Sequence, residues 1–381
     1  MSARYRLVFF MQQVLGHVTH SANLESIVRA DPEVEPVWVP ITYWQVGGVI
    51  ERLPVVPPHL KGSVRAVKEV WRILLRERAD GIVFNTSALA TSVTSWIKRV
   101  PTAISLDVTP RQFDREAAFF GHRADGDTPL ARWKHRVNCR VFDRSALLVP
   151  WSSWVRTSLV EEYRVAPAKI EIIPPGVDLA GWDRVEQPRS GLPQVLFVGG
   201  DFARKGGDSV VEWFRQRGRG LCELRIVTSD PAATALEAPD IHVHRDLRPN
   251  SQALRQLYWR SDLLVLPSRS EPFGIACVEA LAASLPTVVT AVGGLTDIVE
   301  DGVNGYVIPP GDAQALDAAL QALLRSPERR LSMGAAGRRM ALERFDAERN
   351  GRRFLALIKA AVERARSGSR GLAGEAAARE A

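Results

Sequence analysis

The stretch that decides the fold runs from Leu263 to Ala282 and reads LLVLPSRSEPFGIACVEALA. Its apolar start predicts a short buried strand that ends at Pro267, and a polar turn separates this strand from a helix that begins near Phe273. In an open α/β sheet, ligands bind beyond the carboxyl ends of the strands, where the N–H groups of the following helix favour an anion. The stretch therefore predicts a strand–turn–helix unit of a parallel sheet with a binding site at its turn.

Two carboxylates flank this turn. Glu271 lies in the loop, and Glu279 follows eight positions later, about two helical turns away. This spacing disfavours a directly bonded acid pair and suits two contacts on an extended ligand, such as sugar and ribose hydroxyls. Gly274 would let the backbone approach that ligand closely. The alternative is that Glu271 only precedes Pro272 in a turn and that Glu279 is a solvated helix residue.

A second cluster, FVGGDFARKGG at 197–207, predicts a strand that enters a Gly-rich, basic turn. Arg204 and Lys205 would be fixed cations next to an anionic ligand, where they could stabilise the growing charge of a leaving group. The turn is not a Walker A loop, because Gly206 follows Lys205 where that motif has Ser or Thr. A flexible basic loop without a ligand is the alternative.

Short apolar runs alternate with longer amphipathic stretches along the whole chain, which predicts repeated βα units and parallel sheets. We expect an α/β protein of two Rossmann-like domains whose sheets face a central cleft. A (β/α)8 barrel is the rival, although such barrels more usually have about 250 residues. The predicted strands are Tyr5–Met11, Val37–Ile41, Gly81–Asn85, Ala103–Leu106, Ala146–Pro150, Ile170–Pro174, Gln194–Gly199, Leu221–Thr228, Ile241–His244, Leu263–Pro267, Thr287–Thr290 and Gly305–Ile308.

The domain boundary is expected at the turn-forming run Pro174-Pro175-Gly176-Val177-Asp178. We therefore divide the chain into domains at 1–175 and 176–345. A terminal helix at 346–365 is expected to pack back toward the N-terminal domain, and a disordered tail is expected at 366–381.

The 381 residues carry a net charge of +7, which favours anionic partners without selecting among nucleotides, phospholipid head groups and nucleic acid. The three cysteines, Cys139, Cys222 and Cys277, are far apart and form no C-x-x-C pair. They predict small buried side chains rather than a disulfide framework or a zinc site.

The apolar patch Leu7–Met11 is too short for the hydrophobic region of a secretion signal, and no small-residue cleavage site follows it. No apolar run approaches the ~18 residues that a membrane span requires. We expect a cytoplasmic protein, either free or peripheral at the inner membrane surface.

The C-terminal half resembles family 4 of the retaining GT-B glycosyltransferases (glycosyl transferases group 1). The resemblance is strong over Ile170–Phe345 and weak in the N-terminal half. It rests on E-x7-E from Glu271 to Glu279 together with its surroundings, and this combination is specific where E-x7-E alone is not. The motifs that carry it are PS at 267–268, EPFG at 271–274, EA at 279–280, LPTVV at 285–289, GG at 293–294, EDGVNG at 300–305 and VIPPGD at 307–312.

The resemblance implies transfer of a hexose-type sugar from a nucleotide-diphosphate sugar to an acceptor hydroxyl with retention of configuration. It implies that Glu271 contacts the donor sugar, that Glu279 holds the ribose diol and that Arg204 and Lys205 stabilise the diphosphate. A divalent metal is then unnecessary, and no cofactor is expected, because the nucleotide sugar is a substrate. The remaining donor contacts would come from the amides of Phe273, Gly274 and Ile275, from the loops at Gly16 and Gly199, and from Ser229 and Leu247 near the base.

The N-terminal domain would bind the acceptor, a glycan, a lipid-linked molecule or a small molecule. His17 and His20 are candidates for acceptor or phosphate contacts, or else structural histidines. Asp107 ends a strand where many family members have histidine, which puts the usual histidine contact in doubt. It is a candidate for binding the acceptor hydroxyl or helping to remove its proton, and a turn-forming aspartate is the alternative.

A basic amphipathic helix is predicted around residues 65–76. Arg65, Lys68, Arg72 and Arg76 recur at helical spacing, with Val67, Trp71, Leu74 and Leu75 on or near the other side. The basic face could contact an anionic membrane, or it could simply be solvated. Arg132, Arg136, Arg140 and Arg144 form a similar row.

Three other functions stay open. Asp125-Gly126-Asp127 could be the D-x-D metal site of a GT-A transferase, although it follows no apolar strand. The same scaffold could serve a nucleotide-sugar epimerase. A non-catalytic nucleic-acid binder is the third, although the sequence has no aromatic-basic RNA motif and we expect no nucleic-acid partner.

Overall fold

The computed structural model describes residues 4–13, 16–42, 58–182 and 191–380, which form two compact units. The N-terminal unit contains residues 1–115, 123–173 and 348–381, and the C-terminal unit contains residues 116–122 and 174–347. The chain therefore enters the C-terminal unit briefly at Glu116, crosses to it after Ile173, and returns to the N-terminal unit at Glu348.

The N-terminal unit contains a five-stranded parallel sheet with the order β2-β1-β3-β4-β5. Its strands are β1 (Tyr5–Gln12), β2 (Val34–Ile41), β3 (Gly81–Phe84), β4 (Thr102–Leu106) and β5 (Leu147–Pro150). Its helices are α1 (Gly16–Ala30), α2 (Pro58–Arg76), α3 (Ser87–Ala90), α4 (Thr94–Ile97), α5 (Pro110–Arg115), α6 (Pro129–Arg144), α7 (Ser153–Glu161) and the terminal α14 (Ala347–Glu380).

Both faces of this sheet are buried, which explains why β1 is an almost continuous apolar run. Val8 and Phe10 belong to a core on one face that includes side chains of α2, α6 and α7. Leu7 and Phe9 belong to a core on the other face that includes side chains of α1 and α14. On α14, Phe354, Leu355, Ile358 and Val362 supply that second core.

The C-terminal unit contains a six-stranded parallel sheet with the order β11-β10-β9-β6-β7-β8. Its strands are β6 (Gln194–Val198), β7 (Glu223–Val227), β8 (Ile241–His244), β9 (Leu263–Leu266), β10 (Thr287–Thr290) and β11 (Gly305–Ile308). Its helices are α8 (Gly207–Trp213), α9 (Gln252–Arg260), α10 (Ile275–Ala282), α11 (Leu295–Ile298), α12 (Ala313–Arg325) and α13 (Pro327–Arg344). Read from β8, this is the 3-2-1-4-5-6 order of a Rossmann sheet.

Two expectations differ from the structure. The stretch from Ile170 to Pro174 is not a strand: it makes a single bridge from Ile170 to Leu148, and the prolines that follow cannot donate to a ladder. The segment 366–380, expected to be disordered, continues helix α14 to Glu380, consistent with its many helix-forming Ala, Glu and Arg residues.

Parts of two regions with predicted roles lie outside the described residues: residues 14 and 15 of the loop at Gly16, and residues 183–190 of the domain expected at 176–345. Within the described ranges, no helix combines the length and apolar character that a membrane span requires.

Candidate functional site

The site in the C-terminal unit lies at the switch point of its sheet. Strands β6 and β9 are neighbours, but the chain continues from β6 toward one edge of the sheet and from β9 toward the other. Such a point opens a crevice beyond the carboxyl ends of the two strands, where ligands of open α/β sheets bind. The basic turn at 199–206 follows β6, and the turn at 267–274 follows β9, so the topology brings both predicted clusters together.

The two turns pack directly on each other. The main-chain N–H of Arg269 donates to the carbonyl oxygen of Arg204 at 2.9 Å. A Cβ added to Gly206, whose φ is +78°, would lie 2.2 Å from the carbonyl oxygen of Pro267. Only glycine fits such a left-handed position with so close a neighbour.

Lys205 and Glu271 form an ion pair between the two turns. The ammonium donates to Glu271 Oε2, and the side chains of lysine and glutamate are only 16% and 5% exposed. A cation and a carboxylate are thus shielded from water at the same edge of the sheet, where their interactions with a ligand would be stronger than on an open surface.

The Arg204 guanidinium is buried and held by protein acceptors. Its Nε donates to Asp201 Oδ2 at 3.0 Å, and its Nη1 donates to the carbonyl oxygen of Ser270 at 2.9 Å. The ring of Phe120 lies beneath it, 5.0 Å from the guanidinium carbon. Arg204 therefore fixes the turn that carries Glu271, besides placing a positive charge there.

Sequence reasoning did not find the segment 116–122, which contributes Phe120 to this site. Glu116, from the same segment, accepts a hydrogen bond from the hydroxyl of Ser270. The partners Glu116 and Ser270 are 154 positions apart, and no local pattern around residues 116–120 signals the contact.

Glu279 lies on α10, buried to 4% exposure. Burial raises the pKa of its carboxyl to about 7, while the hydrogen bond from Tyr258 and the charge of Arg255 act in the opposite direction. The Tyr258 hydroxyl donates to Glu279 Oε2 at 2.8 Å. Tyr258, on α9, was not among the predicted site residues.

The turn around Glu271 is also shaped by a glycine from the next loop. Gly293 has a φ of +52°, and a Cβ there would lie 1.8 Å from the carbonyl oxygen of Glu271. Gly274, with a φ of +104°, precedes the first residue of α10. The predicted amides of Phe273, Gly274 and Ile275 accordingly lie at the N-terminus of this helix.

The other predicted donor contacts of the C-terminal unit lie at the same edge of its sheet. Gly199 follows β6, and a Cβ there would lie 2.9 Å from the Lys205 side chain. Ser229 is exposed after β7, and Leu247 is half-buried after β8. Their contact with a nucleotide base stays a prediction.

In the N-terminal unit the structure brings His17 and Asp107 together. His17 Nε2 lies 3.1 Å from Asp107 Oδ2, and both residues follow strands of the same sheet. Gly16 is the first residue of α1. His20 packs edge-on against Trp151, and burial with the nearby His17 lowers the pKa of His20 to about 3. Its contact with an acceptor or a phosphate stays a prediction.

The rival D-x-D site is not assembled as a metal site. Asp125 pairs with Lys134 at 2.7 Å, and Asp127 pairs with Arg132 at 3.1 Å. In the part of the chain that the structure describes, no three His, Cys, Asp or Glu residues are grouped as metal ligands.

Comparison with known proteins connects this architecture to enzymes that transfer sugars. Residues 182–340 match the family model described as glycosyl transferases group 1, and residues 27–180 match that of glycosyltransferase family 4. D-inositol 3-phosphate glycosyltransferase of Kineococcus radiotolerans is 31% identical over 57% of this chain and 58% of its own length. Glycogen synthase of Mycobacterium tuberculosis is 29% identical over 57% of this chain and 55% of its own length. The chain thus spans a little over half the length of these relatives.

Solved structures share the whole architecture at low identity. Sucrose-phosphate synthase of Thermosynechococcus elongatus has a TM-score of 0.75 at 18% identity, over 93% of this chain and 98% of its own. Anabaena HepE in complex with UDP has a TM-score of 0.70 at 18% identity, over 93% of this chain and 100% of its own. These likenesses and the two parallel sheets define a GT-B fold. The two family models match adjacent parts of the chain, residues 27–180 and 182–340, and together show that it belongs to the group 1, family 4 glycosyltransferases.

Proposed function

We propose that this protein is a metal-independent, retaining glycosyltransferase that moves a hexose from a nucleoside-diphosphate sugar to an acceptor hydroxyl. The observation that carries the proposal is the convergence of Lys205, Arg204 and Glu271 at the switch point of the C-terminal sheet, with Glu279 on the helix that follows the Glu271 turn. Two cations there match a diphosphate, and two carboxylates match hydroxyl groups on either side of it.

In this proposal the diphosphate lies at the N-terminus of α10 and competes with Glu271 for the ammonium of Lys205. Glu279, about one turn along the helix, accepts hydrogen bonds from the ribose diol, and Glu271 accepts them from the sugar. As the bond between the anomeric carbon and the phosphate oxygen breaks, negative charge grows on the diphosphate. Lys205 and the fixed charge of Arg204 stabilise that charge without a metal ion.

The acceptor hydroxyl would be bound by Asp107 of the N-terminal unit. The oxygen of the acceptor hydroxyl forms the new bond to the anomeric carbon on the face from which the phosphate leaves. Attack on this face preserves the configuration. The hydroxyl proton passes to the leaving phosphate or to Asp107. Glu271 accepts hydrogen bonds from the donor sugar in this proposal and is not assigned the covalent nucleophile role of a retaining glycosidase.

Donor chemistry is tested by a panel of UDP, GDP and ADP sugars, with UDP sugars first because solved HepE structures contain UDP and UDP-glucose. We expect one nucleoside diphosphate to raise the melting temperature equally with and without EDTA, and its sugar to be transferred with retention to an added acceptor. Glu279→Ala should abolish the shift, and the exposed Glu237→Ala is the matched control. A strict requirement for Mg²⁺ or Mn²⁺, or epimerised donor as the product, would contradict the proposal.

A peripheral membrane contact through α2 is a second proposal, favoured by the outer face of this helix. Trp71 and Leu75, expected near the apolar side, are instead 40% and 71% exposed, because Ala66, Val70 and Leu74 make the core contacts. Apolar side chains among Arg65, Lys68, Arg72 and Arg76 suit the interface of an anionic bilayer.

Vesicle flotation tests this contact. We expect binding to vesicles that contain phosphatidylglycerol and not to pure phosphatidylcholine, with loss of binding in Trp71→Ser/Leu75→Ser. Exposed apolar residues on α13, Leu331 and Leu342, provide the control pair for serine substitution. Equal binding by the two double variants would exclude α2 as the contact.

A further inference from the structure

A buried amide lies at the switch point of the N-terminal sheet. The strand order places β1 beside β3, and Gln12 ends β1 while Asn85 directly follows β3. The side chain of Asn85 is fully buried between them. Its Oδ1 accepts from the main-chain N–H of Gln12 at 2.7 Å, and its Nδ2 donates to the carbonyl oxygen of Gln12 at 3.1 Å.

These two hydrogen bonds determine which atom of the Asn85 side-chain amide is the oxygen and which is the nitrogen. A main-chain N–H can only donate and a carbonyl can only accept, so the oxygen and nitrogen of Asn85 cannot be exchanged. The second hydrogen on Nδ2 is then directed at Nδ1 of His17, 3.2 Å away.

The tautomer of His17 follows from this contact. Because Asn85 Nδ2 is only a donor, His17 Nδ1 must accept, and the ring proton must be on Nε2. The Nε2 atom, which then carries the ring proton, lies 3.1 Å from Asp107 Oδ2. The ring of Trp151 packs against the imidazole of His17, with 4.7 Å between the ring centroids. Trp151 is itself held by a 2.8 Å hydrogen bond from its Nε1 to Ser105 Oγ.

We propose that Asn85 is a positioning residue that acts through His17 on Asp107. The relay from the Gln12 main chain through Asn85 and His17 engages one oxygen of Asp107. The Asp107 side chain is one-fifth exposed, so a hydroxyl can reach this carboxylate while His17 lies against its Oδ2. This assignment of the relay's purpose rests on the proposed function; the tautomer does not.

The tautomer is tested first, on the wild-type protein, by long-range proton–nitrogen NMR of the His17 ring, assigned by loss of its signals in His17→Phe. We expect Nε2 protonated and Nδ1 not. Asn85→Asp places an acceptor opposite Nδ1, so this nitrogen should become protonated. A wild-type His17 with its proton on Nδ1 would overturn the relay, whether or not any sugar is transferred.

Transfer kinetics test the purpose of the relay. We expect Asn85→Asp and His17→Phe each to lower kcat at least about tenfold, with the Kd for the nucleoside diphosphate unchanged, because positioning alone is lost. Thr86→Ala, which alters only the helix cap one residue further on, should leave kcat unchanged. A normal kcat in both Asn85→Asp and His17→Phe would refute the positioning role. If neither the wild type nor any variant transfers sugar, but wild-type His17 has the predicted tautomer, only the proposed function is refuted. Melting temperatures establish that each variant is folded.

Discussion

The switch point of the C-terminal sheet is dominated by charge, and that of the N-terminal sheet is dominated by directed hydrogen bonds. At the first, Lys205 and Arg204 lie among Glu271, Asp201 and main-chain carbonyls. At the second, the amide of Asn85 contacts His17 Nδ1, and His17 Nε2 lies 3.1 Å from Asp107.

The difference matches the two tasks that we propose. A diphosphate is recognised by its negative charge, and this charge grows when the diphosphate leaves. Cations that are shielded from water are therefore suited to bind it. A neutral hydroxyl offers no such charge, so its orientation depends on an acceptor held in one position. The switch points of the two sheets therefore carry different kinds of side chain, charged ones in the C-terminal unit and mainly hydrogen-bonding ones in the N-terminal unit.

The largest effect is expected at Lys205. Lys205→Met should lower kcat by about 10²–10³-fold, because it removes the cation that stabilises the leaving diphosphate. It should also destabilise the fold by about 3 kcal/mol, because Glu271 is left buried and unpaired. Steady-state kinetics and denaturant unfolding measure the two effects.

The double variant Lys205→Met/Glu271→Gln separates these effects. It should recover most of the stability, since no buried charge is left unpaired, but none of the turnover. Recovery of turnover together with stability would mean that Lys205 serves only the fold, and the C-terminal site would lose its claim to charge-based chemistry.

A smaller effect is expected from pH acting on Glu279. Because burial raises its pKa to about 7, the carboxyl is partly protonated at neutral pH, and a ribose diol that donates to it favours the charged form. Affinity for the nucleoside diphosphate should therefore rise with pH, by up to about tenfold per unit below the pKa, and level off above it. Titration calorimetry between about pH 5.5 and 8.5 measures this dependence.

Two variants check the origin of that rise. Tyr258→Phe removes a hydrogen bond that lowers the pKa of Glu279, so the rise should move to higher pH. Glu279→Gln has no charge to lose, so its weaker binding should keep only the shallower pH dependence that comes from ionisation of the ligand's own terminal phosphate. An equal slope in wild type and Glu279→Gln would assign the pH dependence to another group.

The smallest effect on catalysis is expected from a change at Phe120, whose ring lies against the Arg204 guanidinium. Phe120→Leu removes a cation–π contact of about 0.5–2 kcal/mol and loosens the guanidinium that holds the Glu271 turn, so kcat/KM should fall about three- to thirtyfold. The neighbouring Phe119, 42% exposed, provides the control, and Phe119→Leu should have wild-type kinetics. If the two variants behave alike, segment 116–122 does not act through Arg204.

Local patterns predicted most of the strands and the two turns that pack together in the C-terminal unit. Strands β8, β10 and β11 have the predicted bounds, because short apolar runs between turn residues leave little choice. The turns that carry Lys205 and Glu271 were predicted from motifs contained within a few residues. Strand order then brings them together, as expected for the carboxyl edge of a parallel sheet.

The missed residues act through contacts between distant parts of the chain. Phe120 reaches Arg204 and Tyr258 reaches Glu279 from other elements, and Asn85 looks like an ordinary residue after a strand. The exposure of Trp71 was missed for the opposite reason: apolar character alone does not reveal which of two helix faces meets the core.

The most direct test of the account is a crystal structure of the protein with its nucleoside-diphosphate sugar. We predict the diphosphate at the N-terminus of α10 and in contact with Lys205, the ribose diol on Glu279 and a sugar hydroxyl on Glu271. A nucleotide bound elsewhere, with Lys205 still paired to Glu271 and Glu279 bonded only to Tyr258, would contradict it.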